Sequence, residues 1–262
     1  MASCWRRRAP DLGILGAREG RGRLARLCRS SRGGHARDTR LGEARGRRAR
    51  RAPMRLAVAT VACVAAFAAA CAARAEDEAA RLAELLRLQP GSTVADVGAG
   101  DGRFALAFAA KVGPRGRAYA TEIDPERLGE IRASAREAGL ANVEVVRAEE
   151  SATGLPTDCC DAILLRDVYH HLTQPLDVAR DLARALAPGG VLVVVDFGPT
   201  WFLRPFTPEG VGRERGGHGI QPGDALRELR EAGFEEVQRL EPWTTRWLAP
   251  DPYALVLREA AQ

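Results

Sequence analysis

Val94-Ala95-Asp96-Val97-Gly98-Ala99-Gly100-Asp101-Gly102-Arg103-Phe104 is the stretch on which the reading of this chain turns. Thr93 to Val97 form a short, largely apolar run, the pattern of a buried strand. Glycines follow at every second position, Gly98, Gly100 and Gly102. Phe104, Ala105, Phe108, Ala109 and Val112 then recur at helical spacing until Gly113 stops the helix. The order is strand, glycine turn, helix. Glycine there admits positive φ and lets a ligand come close to the main chain. The helix start behind it is expected to offer unpaired N–H groups and the positive end of a dipole. A dinucleotide fingerprint reads G-x-G-x-x-G and places a pyrophosphate on the helix start. Here the spacing is G-x-G-x-G and Arg103 follows. Asp96 stands two positions before the first glycine, and a carboxylate there suits a ligand with cationic groups and no phosphate.

Working outward, strands and helices alternate. Asp77 to Leu88 predicts an amphipathic helix with Ala79, Leu82, Leu85 and Leu86 on one face, placed to pack against the sheet or to lie over the glycine turn. Arg117 to Ile123 predicts a second strand with Glu122 at its carboxyl end. An acid about 20 positions after the glycines matches ribose recognition, in which a carboxylate accepts from both hydroxyls. The alternative for Glu122 is a helix cap or a surface acid. Pro125 to Ala138 reads as a helix, Asn142 to Arg147 as a strand followed by Ala148-Glu149-Glu150. Asp161 to Leu165 is continuously apolar after its first residue, as a central parallel strand should be. It runs into Arg166-Asp167-Val168-Tyr169-His170-His171, at the end of the sheet where ligands of open parallel sheets bind. Pro175 to Ala187 predicts a helix, Pro188-Gly189-Gly190 a turn, and Val191 to Phe197 a fifth strand. A long Gly/Pro/Arg-rich loop, Gly198 to Ile220, carries Trp201, Phe202, Phe206 and His218. A helix over Pro222 to Ala232 and strands over Phe234 to Leu240 and Tyr253 to Arg258 close the chain, with Trp243 and Trp247 at the core or rim of the last hairpin. The fold class is therefore α/β, a doubly wound sheet with an antiparallel terminal hairpin.

The chain has 262 residues and a formal charge of +5, but the charge is unevenly spread. Residues 1–53 hold sixteen arginines against four acids, a net +12. Residues 76–262 hold 21 basic against 30 acidic side chains, a net −9, with no basic stripe for a nucleic acid. The arm over 1–53 lacks apolar periodicity. It reads as a basic disordered arm, an organelle transit peptide or a start assigned too early, the last being favoured because Met54 opens an export signal by itself. Met54-Arg55, an uncharged run from Leu56 to Ala73 and Ala73-Arg74-Ala75 over 54–75 predict cleavage after Ala75; an uncleaved membrane anchor is the alternative. In either case residues 76–262 form one domain outside the membrane, exported or periplasmic, with a cytoplasmic location as the alternative. Of the six cysteines only Cys159 and Cys160 fall in that domain. Adjacency disfavours their pairing, so Cys160 reads as a small buried hydrophobe opening a strand. No metal-ligand spacing is present, and no metal is expected.

Asp96-Val97-Gly98-Ala99-Gly100-Asp101-Gly102, Tyr119-Ala120-Thr121-Glu122-Ile123-Asp124, Asp167-Val168-Tyr169-His170-His171 and Ala187-Pro188-Gly189-Gly190-Val191 resemble the motifs of class I S-adenosylmethionine-dependent methyltransferases, in particular a bacterial subgroup with signal sequences. The resemblance spans Ala79 to Arg258. It implies a Rossmann-like, seven-stranded fold, S-adenosylmethionine as methyl donor and a small-molecule acceptor it does not name. It places Asp96, Gly98, Ala99, Gly100, Gly102, Glu122 and Ile123 around the donor, Ile123 against the adenine. It also puts Glu149 at the adenine amino group, although the family's usual Gly-Asp is Ala148-Glu149 here. Arg166 is expected to neutralise nearby carboxylates or the donor's own carboxylate. Methyl transfer from a sulfonium needs mainly near-attack geometry, and a base only where the acceptor must lose a proton. His170 and His171 are the candidate proton acceptors and Tyr169 a candidate for positioning the acceptor; packing or capping roles are the alternatives for all three. Two other readings stay open: a ligand-binding module without turnover, and a nicotinamide oxidoreductase, against which the glycine spacing argues.

Overall fold

The computed structural model describes residues 77–200, 205, 207, 209–211, 218–245 and 250–260. The basic arm and the stretch expected to be an export signal lie outside the described residues, as do Trp201, Phe202, Phe206 and Trp247. Among the described residues no helix is long and apolar enough to cross a membrane.

Seven strands form one sheet: β1 (Thr93–Val97), β2 (Arg117–Glu122), β3 (Val143–Arg147), β4 (Cys160–Arg166), β5 (Leu186–Phe197), β6 (Phe234–Leu240) and β7 (Pro252–Glu259). Their order is β3-β2-β1-β4-β5-β7-β6. The first five are parallel. β7 runs antiparallel to β5, and β6 antiparallel to β7. The helices are α1 (residues 77–85), α2 (Arg103–Val112), α3 (Pro125–Glu137), α4 (Pro175–Ala185) and α5 (Pro222–Glu231).

Alternation along β4 explains the layering, because successive side chains of a strand point to opposite faces. Ala162 and Leu164 join a cluster with Leu82 of α1, Leu86 just past its end, and Phe104 and Phe108 of α2. Ile163 and Leu165 join a second cluster with Val178 and Leu182 of α4 and Leu226 and Leu229 of α5. Both faces of the strand are covered, hence its unbroken apolar run. A smaller cluster seats Ile131 of α3 against Ala99, Ala105 and Ala120.

Asp124 caps α3, its Oδ1 accepting from the Glu126 N–H at 2.8 Å, with Pro125 at the first helical position. The helix expected to reach Ala187 ends at Ala185, and β5 starts at Leu186. The sheet absorbs Pro188-Gly189-Gly190 as an irregularity in the β4–β5 register between Cys160 and Ala162. The expectation for the cysteines is corrected: Cys159 and Cys160 form a disulfide, with Cα atoms 3.7 Å apart. The pair sits where the chain leaves Asp158, whose φ is +51°, and enters β4. This tight turn brings the two side chains together although adjacency generally disfavours it. Cys160 is also fully buried, as expected.

The chain runs outward from β1 through β2 to β3 and then crosses back to β4 on the other side of β1. The crevice at that reversal lies at the carboxyl ends of β1 and β4. The glycine loop and the turn after β4 both open there.

Candidate functional site

The loop after β1 is held by bonds within the chain. The N–H groups of Gly98 and Ala99 both donate to the Thr121 carbonyl at 2.9 Å, and that of Gly102 donates to Ala99 O at 2.8 Å. The Gly100 N–H donates to Glu122 Oε2 at 2.9 Å. At the start of α2 the Arg103 N–H donates to Asp101 Oδ1 and the Ala105 N–H to Asp96 Oδ2, each at 3.1 Å. The helix start therefore differs from expectation. These donors are occupied by the chain's own oxygens, and three carboxylates, Asp96, Asp101 and Glu122, line the turn. A pyrophosphate would meet occupied donors and like charge, which is the opposite of an anion-binding helix start.

Glycine is required at two of these positions. Gly98 has φ +71°, and a Cβ there would lie 2.6 Å and 2.8 Å from the two Cγ atoms of Val168. Gly102 has φ +79°, and its Cβ would sit 3.0 Å from Ile131 of α3. The loop is thus pressed between the turn after β4 and the helix after β2.

Glu122 ends β2 with its carboxylate folded back. Besides Gly100, it accepts from the Ile123 N–H at 2.8 Å and the Asp124 N–H at 3.3 Å. The group is partly exposed, and three of a carboxylate's about four acceptor positions are taken, so it can also accept a ribose hydroxyl. Ile123 beside it is 51% exposed, a large apolar side chain presented to solvent at the carboxyl edge. Ala99 is buried in the loop. Glu149 is exposed, its backbone paired with Ala152 in a short bridge.

Asp96 lies beneath the loop, only 2% exposed. Burial pushes its pKa up to about 7; the Ala105 N–H opposes this, Asp101 adds to it, Arg103 opposes it and Glu122 adds to it. In this position it props the loop and the first turn of α2. Arg166 follows the first of its two expected roles. Its Nε and Nη2 donate to Glu78 Oε1 at 2.9 and 2.8 Å, and its Nη1 contacts Asp167 closely. Glu78 belongs to α1, so the start of that helix is tied to the end of β4, and Arg81 of α1 donates to the Trp243 carbonyl at 3.0 Å.

Past β4, Asp167 takes a left-handed backbone with φ +57°, a conformation tolerated best by Asn and Asp among residues other than glycine. Its N–H donates to Val195 O at 2.8 Å. The chain then enters a 3₁₀ turn, Tyr169–His171. Tyr169 is fully buried in the core cluster of α4 and α5, so its placement is that of a packed residue and not of a group exposed to an acceptor.

His170 is held by Asp196, a residue that the sequence reading passed over. Asp196 ends the apolar run of β5 and is fully buried. Its Oδ1 lies 2.7 Å from His170 Nδ1 and accepts from the Phe197 N–H at 2.8 Å, while Oδ2 accepts from the His170 N–H at 3.0 Å. The signal was available: a lone carboxylate inside a continuous apolar strand has to satisfy a partner. A carboxylate at Nδ1 selects the tautomer that carries its proton there and leaves a lone pair on Nε2. The His171 and His218 rings lie 4.0 and 4.8 Å from the His170 ring, centre to centre, and Phe197 walls the group at 4.8 Å. His171 is exposed on one side. Desolvation on its packed side, then His170 and His218, push its pKa down to about 4 against a weaker upward pull from Asp196. It is therefore neutral at neutral pH.

A groove of about 580 Å³ lies at the opposite end of the sheet, lined by Gly113, Arg117, Gly139 and Asn142, and shares no residue with this site.

Residues 95–194 match the family described as "Methyltransferase domain". Over that stretch the chain is similar to S-adenosylmethionine-dependent methyltransferases. Over 184 residues the chain is 32% identical to 24-methylenesterol C-methyltransferase 2 of Oryza sativa subsp. japonica, covering 63% of this chain and 49% of that one. Over 115 residues it is 31% identical to the ubiquinone/menaquinone biosynthesis C-methyltransferase UbiE of Ectopseudomonas mendocina, covering 44% and 45%. The chain spans about half the length of these curated relatives. Among solved structures, a SAM-dependent methyltransferase from Aquifex aeolicus superposes with a TM-score of 0.56 at 23% identity, covering 68% of this chain and 88% of that one. The mitomycin 7-O-methyltransferase MmcR gives 0.56 at 22%, covering 71% and 54%. These structural likenesses show the shared fold.

The family's cofactor is S-adenosylmethionine, and the loop fits it. The loop offers acceptors instead of phosphate-binding donors, a close backbone approach at Gly98 and Gly100, the Glu122 carboxylate for a diol and exposed Ile123 for a flat base.

Proposed function

We propose that this protein transfers a methyl group from S-adenosylmethionine to a small-molecule acceptor at the carboxyl ends of β1, β4 and β5. The observation that carries this reading is Glu122: one carboxylate bridges the glycine loop and the start of α3, beside an exposed isoleucine, with the loop's donors already occupied. When bound, the cofactor supplies an electrophilic methyl on a sulfonium. The chain's own part is positional. Glu122 fixes the adenosine end, Gly98 and Gly100 keep the backbone thin where the ligand lies, and the Asp167 turn presents the histidines. Val168, pressed on Gly98, ties that turn to the loop, so the two halves of the site are held in fixed relation. Where the acceptor must release a proton, His171, the exposed ring of the cluster after β4, is the group placed to receive it. The small-molecule class of acceptor is supported by the sterol and quinone methyltransferases among the relatives and by the absence of a basic stripe in the sequence of residues 76–262.

The test has two arms. S-adenosylhomocysteine at about 100 times its dissociation constant should stabilise the full chain by about 2.7 kcal/mol, and the shift should vanish in Glu122→Ala. Labelled methyl from S-adenosylmethionine should then pass to a component of a small-molecule extract. Stabilisation without transfer to any extract would favour the ligand-binding module; stabilisation by a nicotinamide dinucleotide and not by S-adenosylhomocysteine would overturn the reading.

A further inference from the structure

We propose that His170, His171 and His218 form a binding site for one divalent transition-metal ion of the zinc class. Three of the chain's four histidines converge here, with one donor atom from each lying within 4.8 Å of the others. They come from two places in the sequence, the 3₁₀ turn after β4 and the residues before α5, and are brought together by the fold alone. His170 is 2% exposed, and its Nε2 is buried with no hydrogen-bond partner among the described residues. Its other nitrogen is engaged by the fully buried Asp196 at 2.7 Å. A carboxylate on one ring nitrogen and a metal on the other is the arrangement that orients histidine ligands and raises their basicity. Packing of three aromatic rings would explain the ring contacts. It would not explain a buried ring nitrogen left without a partner beside two further imidazoles while a carboxylate holds the ring's other nitrogen.

The donor set states the class. Calcium and magnesium require oxygen ligands, whereas three imidazoles suit zinc, copper, nickel or iron(II). Imidazole nitrogens bind zinc at about 2.0–2.1 Å in tetrahedral geometry, which places donors roughly 3.4 Å apart. Closing from 4.8 Å needs side-chain rotations of His171 and His218, the two more exposed rings, against a fixed His170. Three protein ligands leave a fourth position for water or an acceptor heteroatom. The ion would stand two residues from Val168, which touches the glycine loop, so an acceptor bound to it would lie in the crevice at the end of β4. The site goes beyond the methyl-transfer reading and does not depend on it.

The experiment uses the full chain made without a histidine tag and stripped with a chelator. Cobalt(II) is titrated while its visible ligand-field absorption is followed, and zinc is then added in competition. One equivalent of cobalt should bind and be displaced by zinc but not by excess magnesium. His171→Ala and His218→Ala should each abolish the signal, and Asp196→Asn should weaken binding about 10–100-fold. Each variant's response to S-adenosylhomocysteine, measured in the same samples, reports whether the fold and cofactor site survive. If Asp196→Asn fails to fold, the two histidine variants carry the test. Cobalt uptake by the wild type no greater than by a folded His218→Ala variant would overturn the site, and displacement by magnesium would overturn its class.

Discussion

Replacing Gly98 with alanine tests the idea that the glycine loop and the turn after β4 are in contact. The substitution acts twice. An alanine at φ +71° adopts a left-handed backbone, at a cost of about 1–2 kcal/mol. Its Cβ would also lie 2.6 and 2.8 Å from the Val168 Cγ atoms, and such overpacking adds about 1–3 kcal/mol. The sum, about 2–5 kcal/mol, lowers Tm by roughly 4–20 °C at the 2–4 °C per kcal/mol expected for a domain of this size. Val168→Ala separates the two parts. In the Gly98→Ala background it removes the colliding methyls and returns the overpacking share, about 1–3 kcal/mol, leaving the backbone share. Urea unfolding of the four proteins in a double-mutant cycle measures the coupling directly. Gly98→Ala with wild-type stability, or two substitutions whose costs simply add, would refute the reasoning.

Asp96 predicts a pH dependence. Its folded pKa of about 7 stands above the usual carboxylate value because burial opposes the charge, so the folded protein binds the proton more tightly than the unfolded chain. Stability from this group is full below about pH 4 and is lost as pH rises through 7, on the order of 4 kcal/mol in all. Asp96→Asn, which keeps an oxygen for the Ala105 N–H, should flatten that part of the profile in urea unfolding at pH 5 and pH 8; an unchanged slope would refute it. Glu122→Ala removes the acceptor of a diol and should weaken S-adenosylhomocysteine binding by roughly 100-fold, about 2.7 kcal/mol, in calorimetry. Ile123→Ser should leave stability within about 0.5 kcal/mol, as for other exposed sites, yet lower cofactor affinity, whereas a large loss of stability would mark Ile123 as structural. Glu78→Gln weakens the tie between α1 and Arg166 and should cost about 2 kcal/mol in unfolding while leaving the circular dichroism of the folded state unchanged.

The first half of the domain is legible in sequence because its signals are local. The strand into Gly98, the helix from Phe104 and the acid at Glu122 are each set by near neighbours, and their spacing carries the ligand class. The second half of the site depends on contacts across the sheet. His218 lies far from His171 in sequence, and nothing nearby marks it as a partner. Asp196 gave a usable signal, a charge in an apolar strand, but its partner could be found only from the β4–β5 register. Tyr169 and His170 are adjacent and both polar. The 3₁₀ turn sends the first into the core and sets the second against Asp196, a choice that depends on the left-handed Asp167 before them. The N–H groups expected to be free at the start of α2 are taken by Asp96 and Asp101, whose reach is set by the fold of the loop and not by their spacing in the sequence.

The reversal of the chain between β3 and β4 also divides the protein's labour along its length. In the proposed reading the residues for the adenosine end precede residue 150, and those facing the other side of the crevice follow residue 160. The two are joined by a single crossing, by the pairing of β1 with β4, by Arg166 on Glu78 and by the contact of Val168 with Gly98. If the chain transfers methyl groups as proposed, sequence change in the later segment can alter the acceptor without disturbing the donor, so a chimera that exchanges the chain after the crossing should keep cofactor binding and inherit the acceptor preference of its second parent.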